Sequence, residues 1–92
     1  MSIDQAKLLT PPVNYAVVQL PERTFPGVVF QGDSLDSLVE RLRTIQALLA
    51  SGSEPESVEA LQELIQELVS VRQSYEAVLA ELGIPLPYPS RP

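Results

Sequence analysis

Two acidic side chains, Asp33 and Asp36, come closest to a pattern that could perform chemistry. They stand three positions apart at the start of a predicted helix, where a carboxylate pair could hold a metal ion or serve in acid–base catalysis. Carboxylates at the beginning of a helix more often complement its dipole. We therefore interpret both as structural, with the Ser34 hydroxyl between them as the cap of the helix.

The composition excludes most other catalytic and metal-binding chemistry. The 92 residues include no cysteine and no histidine, which excludes disulfides, thiol nucleophiles, Cys/His zinc sites and imidazole bases. The glycines do not form a phosphate-binding loop. The sequence predicts a protein that is not an enzyme, with no catalytic residue, no metal site and no cofactor.

The charge pattern is acidic. The formal net charge is −6, and seven of the 12 acidic residues fall between Glu54 and Glu81, where Arg72 is the only cation. Such a surface repels phosphate, so we expect no direct binding to nucleic acid. No stretch approaches the ~20 apolar residues of a membrane span, and the first residues lack a signal-peptide pattern. We expect a cytoplasmic protein with no membrane partner.

Two arginines are candidate binding residues. Arg23 lies with Phe25 in a turn bounded by prolines, a combination typical of binding surfaces, although an ordinary solvated turn is the alternative. Arg72 interrupts the row of apolar residues that runs along one side of the second predicted helix, which we call its seam. It either pairs with a Glu of the first helix or of a second subunit, or extends to solvent. The remaining candidate interaction residues are Tyr15, Val29 and Gln31.

These residues are positioned by a predicted α+β fold in a single domain over residues 1–92. A short antiparallel β-hairpin occupies residues 5–32, with residues 6–10 as a candidate third strand ended by Pro11 and Pro12. An antiparallel two-helix hairpin follows, with helices over 34–52 and 53–83. Residues 84–92 form an extended, proline-rich tail.

The periodicity of the apolar residues supports these elements. Alternation about Val17 predicts a strand, and Gly52 and Gly83 end the two helices. The main seam of the second helix is expected at Val58, Leu61, Ile65, Leu68, Tyr75, Leu79 and Leu82, widened by Leu64, Val71 and Val78.

The predicted elements leave surface to be covered. Val17 and Val29 are expected on one face of the hairpin, and Val18, Val28 and Phe30 on the other. Two helices can cover only one face, so the second face or an open edge is available to a partner. The second helix is longer than the first, and we expect its overhang to lie against a partner or a second copy.

The segment from Phe25 to Leu42, FPGVVFQGDSLDSLVERL, resembles the core of the HicB family of antitoxins. The resemblance implies a partial ribonuclease-H-like β-β-β-α fold. Asp36-Ser37-Leu38 replaces the usual Glu-Glu-Ala, and an acidic helical hairpin replaces the following strand and the DNA-binding tail. The matching positions are Pro26, Gly27, Val28, Gln31, Gly32, Asp33 and Ser34.

Two further segments are NYAVVQLPERTFPGVVFQGDSL and the closing LGIPLPY. With them, the whole chain looks still more like a family of small uncharacterised bacterial proteins built as a hairpin plus two helices, for which no activity is assigned. We expect a non-enzymatic, antitoxin-like interaction or regulatory module. It would act as a homo-oligomer through its hairpin face or edge and bind another protein by strand addition. The alternative is an oligomer that binds an anionic metabolite or nucleotide through Arg23, Tyr15 and Gln31.

Overall fold

The computed structural model describes residues 5–10 and 15–89. Its elements are β1 (Lys7–Leu8), β2 (Ala16–Gln19), β3 (Gly27–Val29), α1 (Gly32–Ala50) and α2 (Glu54–Leu82). The strands form one antiparallel sheet in the order β1-β2-β3. The predicted α+β fold with a third strand is therefore confirmed. Pro11 and Pro12, and residues 90–92 of the predicted tail, lie outside the described residues.

The chain divides into two compact units. The sheet unit comprises Met1–Phe30 and Arg72–Pro92, and the helical unit comprises Gln31–Val71. The first part of α2 belongs to the helical unit and its last part to the sheet unit. The single domain over residues 1–92 stays a prediction.

The last part of α2 packs against the sheet within the sheet unit. Val17, Tyr75 and Leu79 are buried together, and Leu79 is fully inaccessible to solvent. The Tyr75 hydroxyl donates a hydrogen bond of 2.7 Å to the buried carbonyl of Pro26. The overhang of the second helix is therefore covered by the sheet of its own chain, and it gives no reason to expect a partner at that place.

The register of the sheet corrects the predicted faces. Val17 is paired with Val28 and Ala16 with Val29, so Val17 and Val28 share the face that α2 covers. Val29 lies on the opposite face, contrary to the prediction, because paired residues of antiparallel strands project to the same side. The alternation in each strand was correct, but the pairing depends on the turn between them.

The helical unit is an antiparallel pair formed by α1 and the first part of α2. Leu38, Ile45 and Leu64 make its buried cluster, with Ala60 packed against them. Arg41 Nη1 lies 2.8 Å from Glu67 Oε2, which ties the two helices on one side of this cluster. The predicted helical hairpin is present.

The start of α1 differs from the prediction. The helix begins at Gly32, and the N-cap is Gln31, whose side chain makes no capping hydrogen bond. The predicted cap at Ser34 is therefore wrong. Asp33 Oδ1 instead accepts a hydrogen bond of 2.9 Å from the Ser34 backbone N–H, a local contact that short acidic side chains often make near helix starts.

Both helices end as the sequence predicts. Gly52 has φ +84 and Gly83 has φ +71, in the left-handed region that closes a helix. Ile84 N–H donates to Leu79 O at 2.9 Å and Gly83 N–H to Ala80 O at 3.2 Å, which is the Schellman pattern. Ile84 then packs on the cluster of the sheet unit, as do Leu86 and Tyr88 of the segment that follows.

Candidate interaction surfaces

A groove surrounds the turn between β2 and β3, which we call the turn groove. The Arg23 carbonyl accepts a hydrogen bond of 2.7 Å from Gln19 Nε2, which fixes the chain at this turn. The groove has a volume of about 460 Å³, and Phe25 is one of its exposed apolar side chains. The structure therefore brings two predicted residues, Arg23 and Phe25, into one surface. The groove is lined by Leu20, Arg23, Thr24, Phe25, Pro26 and Gly27.

Three other predicted residues lie elsewhere. Tyr15, with φ +63, makes an edge-to-face contact with Phe30, their ring centroids 5.1 Å apart. Val29 is exposed on the sheet face that α2 does not cover. Gln31 belongs to the helical unit, where its backbone carbonyl accepts the first hydrogen bond of α1, from Leu35 N–H. The residues proposed to contact a small ligand are therefore not gathered in the turn groove.

Arg72 is half-buried in the sheet unit. The ion pairs among the described residues join Arg41 to Glu67 and Arg43 to Glu40, and the pairing expected for Arg72 stays a prediction. The charge of Arg72 acts on Tyr88. Burial, followed by a hydrogen bond and repulsion from Glu76, raises the pKa of Tyr88, and the Arg72 charge partly opposes that rise.

The free edge of β3 offers few hydrogen-bonding groups. Val17 N–H donates to Thr10 Oγ1 and its carbonyl accepts from Leu9 N–H, so both groups point towards β1. The backbone N–H and carbonyl groups of Ala16 and Val18, the neighbours of Val17 in β2, must then point towards β3. Their partners Val29 and Gly27 point back towards β2, so Val28 is the residue of β3 whose backbone N–H and carbonyl point outwards. Next along this edge, Pro26 has no N–H, and its carbonyl is bonded to Tyr75.

Among residues 5–10 and 15–89, the larger set of exposed apolar side chains lies in the helical unit. Each of its eight members is between 40% and 56% exposed. Val39, Leu42 and Leu49 of α1 and Leu61 of α2 line one groove of about 660 Å³, and helical spacing continues the same surface at the other four positions. We call this surface the apolar helical face: Leu35, Val39, Leu42 and Leu49 of α1, and Val58, Leu61, Ile65 and Leu68 of α2.

The two sides of the helix pair differ in chemistry. A second groove, of about 330 Å³, is lined mainly by polar residues that include Glu40, Arg41 and Glu63. Arg41 of this groove also forms the ion pair with Glu67 that joins α1 to α2. Among the described residues that line the groove of the apolar helical face, Arg43 is the charged one and Gln46 the uncharged polar one. Acidic groups and apolar groups are thus segregated within this unit.

The apolar helical face was not anticipated as a functional surface. Its α2 positions had been predicted as the buried seam of the hairpin, but the structure buries Leu64 and leaves Leu61 and Ile65 exposed. A signal was present in the sequence, because the apolar residues of each helix form a stripe wider than one two-helix contact can bury. Spacing alone could not tell which edge of the stripe faces the neighbouring helix.

The described residues contain no group of three or more acidic side chains placed to hold a metal ion. Asp33 and Asp36 both lie in the exposed first part of α1. Within residues 5–10 and 15–89, neither helix combines the length and the apolar character needed to cross a membrane.

Comparison with known proteins places the chain in a family. No curated protein and no solved structure matches it. A family match covers residues 1–88, almost the entire chain, and includes the sheet, both helices and the segment that packs back on the sheet. The chain belongs to DUF6959, a family of unknown function.

Proposed function

We propose that this chain is a non-enzymatic protein-interaction module that binds its partner through the apolar helical face. The observation that carries the proposal is the exposure of eight large apolar side chains on one side of the helix pair. Their exposed parts amount to roughly 700 Å², whereas the largest apolar patch on a typical monomer is about 300–600 Å². A surface of this kind is stabilised when a protein partner removes it from water.

The shape and composition of the face favour a helical partner surface. Two antiparallel helices present parallel rows of Leu, Val and Ile side chains, with a groove between Leu42 and Leu61. Such rows accept the ridges of another helix or helix pair. The shortage of charged groups in the groove means that docking removes few charges from water, which keeps the desolvation cost low.

The hairpin edge is a weaker support for the same function. Strand addition needs a row of unpaired N–H and carbonyl groups along an edge. On β3, Val28 supplies one outward pair, and the neighbouring Pro26 carbonyl is already bonded to Tyr75. We therefore assign the principal interaction to the helices rather than to the sheet, where the sequence alone had suggested it.

An antitoxin-like role in the bacterial cytoplasm is the finer form of this proposal. Its support is the match of Phe25 to Leu42 with the HicB pattern. In this chain Gly27 begins a strand, and the Gly32-Asp33-Ser34 step begins a helix. An antitoxin acts by binding a protein partner, which agrees with an interaction module.

Small-ligand binding remains the alternative function. Its support is the turn groove, because about 460 Å³ lies in the size range of ligand sites and Arg23 could meet an anionic group. Tyr15 and Gln31, the other two proposed contacts, are not among the residues that line this groove. The apolar helical face is therefore the better supported site.

The proposal is tested with Leu42→Glu, which places a charge in the apolar helical face. Tagged protein is purified from its own host and its complexes are weighed by native mass spectrometry. We expect the wild-type chain in a defined protein complex and Leu42→Glu as a free chain, because a buried unpaired carboxylate opposes docking.

The matched control is Thr44→Glu, which adds the same side chain to the same helix at an exposed position of the polar groove. It should retain the complex. Far-UV circular dichroism checks that both variants are folded, and Leu42→Gln replaces Leu42→Glu if the latter unfolds. A complex that survives in Leu42→Glu as well as in Thr44→Glu would rule out the helical face as the binding site.

A further inference from the structure

We infer that the partner on the apolar helical face is a second copy of this chain, so that two helix pairs pack face to face as a four-helix arrangement. This inference rests on the proposed function, because it names the occupant of the same surface. It is carried by the size of the face, by the distribution of charge around it and by its occurrence on two adjacent helices.

The size of the face suits a symmetric dimer. The eight side chains expose roughly 700 Å² of apolar surface, close to the ~800 Å² that each partner contributes to a standard protein interface. Arg43 and Gln46, which line the same groove, add to this area. An interface between two copies can therefore reach the size of a stable one without any other part of the chain.

The charge distribution permits two copies to meet on this side and discourages a lipid surface of anionic headgroups. The chain carries a net charge of −6, which would oppose association through a random part of its surface. The groove of the apolar helical face has Arg43 as its charged residue among those described, and Glu40 and Glu63 line the other groove. A lipid surface of anionic headgroups would need a basic rim around the face, and a single arginine does not provide one.

The face also has the form that a two-fold interface requires. In such an interface the same patch contributes from both subunits, so it must be complementary to itself. Here α1 and α2 each contribute four of the exposed side chains, and rows of Leu, Val and Ile interdigitate with similar rows. Face-to-face packing of two antiparallel pairs buries all eight side chains of each copy in one apolar core, which is the arrangement of a four-helix bundle.

The test is the molar mass of the purified recombinant chain, measured by size-exclusion chromatography with light scattering over a range of concentrations. We expect twice the 10.1 kDa monomer mass for the wild type and the monomer mass for Leu61→Glu. The control Gln66→Glu adds the same charge to α2 at an exposed position outside the groove lining, and it should stay dimeric. Circular dichroism verifies that each variant is helical, and Leu61→Gln takes the place of Leu61→Glu if that variant unfolds.

The outcomes separate this inference from the proposed function. A wild-type monomer at all concentrations would overturn the second copy as occupant. The proposed function would still stand if Leu42→Glu lost a different protein in the host complex. A monomer that sedimented with phosphatidylglycerol vesicles would overturn the inference in favour of a lipid surface. A dimer that persisted in Leu61→Glu would also overturn the inference, because the two copies would then meet through another surface, and the Leu42→Glu experiment would decide the proposed function by itself.

Discussion

The Tyr75 phenol is the side chain that connects α2 to the turn before β3. Its ring lies in the cluster with Val17 and Leu79, and its hydroxyl donates to the carbonyl of Pro26, 49 positions away along the chain. A buried carbonyl without a hydrogen-bond donor costs free energy, so the Tyr75 hydroxyl stabilises the fold in addition to the packing of its ring. The same bond removes an acceptor from the free edge of the sheet.

We expect Tyr75→Phe to lower the free energy of unfolding by about 1–2 kcal/mol, because the ring remains but the Pro26 carbonyl loses its donor. Urea denaturation followed by circular dichroism measures the change. Tyr15→Phe is the matched control, since the Tyr15 ring contacts Phe30 but its hydroxyl makes no hydrogen bond to any residue that the structure describes. Equal stability of Tyr75→Phe and the wild type would show that the hydrogen bond adds nothing to folding.

At the scale of elements, the two helices end with the same structural motif. Each closes with a glycine of positive φ and the paired hydrogen bonds of a Schellman motif, at Gly52 and at Gly83. The second stop turns the chain so that Ile84, Leu86 and Tyr88 return to the cluster of the sheet unit. The helix end therefore determines which residues can complete that core.

We expect Gly83→Ala to reduce the free energy of unfolding by about 1 kcal/mol, because an L side chain is disfavoured at positive φ. A Cβ at this position would meet no atom within 4 Å, so the cost is conformational rather than steric. Gly27→Ala is the control. Its Cβ also enters open space, but the backbone of Gly27 is not at positive φ. Thermal melts of both variants give the comparison, and equal melting temperatures would contradict the conformational cost.

The element that the sequence described least well is the helix pair. The existence of α1 and α2 and the loop between them follow from apolar spacing and from the glycine stops, but the buried edge of each apolar stripe does not. Leu64 and Leu61 are both Leu on the same helix, and one is 2% exposed whereas the other is 40% exposed. Packing against α1 makes this distinction.

At the scale of the whole molecule, the described residues form two small buried clusters, one in each unit. The sheet unit has Val17, Tyr75 and Leu79, and the helical unit has Leu38, Ile45 and Leu64. A chain of 92 residues buries a modest share of its surface, so its stability responds to single polar groups and to net charge.

The unfolding of the whole chain should therefore depend on alkaline pH. Burial raises the pKa of Tyr75, and burial together with Glu76 raises that of Tyr88. Because the folded state favours the neutral phenols, this stabilisation is complete below the ordinary tyrosine pKa of about 10 and is lost as the pH rises through the raised values. Each phenolate would also add to the net charge of −6.

Urea midpoints measured between neutral pH and about pH 11 provide the test. We expect a flat region followed by a decline above about pH 10, with a shallower decline in Tyr75→Phe because one of the two buried phenols is absent. A decline of the same steepness in both proteins would mean that Tyr75 does not contribute to it.

The local patterns of the chain were enough to determine its elements. Alternation around Val17 specified a strand, and the glycines at positions 52 and 83 specified where the two helices end. These features depend on neighbours within a few residues, so they can be inferred without knowledge of the fold.

Tertiary packing decided which apolar residues are buried and which are left exposed. It paired Val17 with Val28 and covered the overhang of α2 with the sheet of the same chain. It also directed Leu64 inwards and Leu61 outwards, which created the apolar helical face. Periodicity describes one element at a time, whereas burial depends on which element lies against it, and that contact forms only when the whole chain folds.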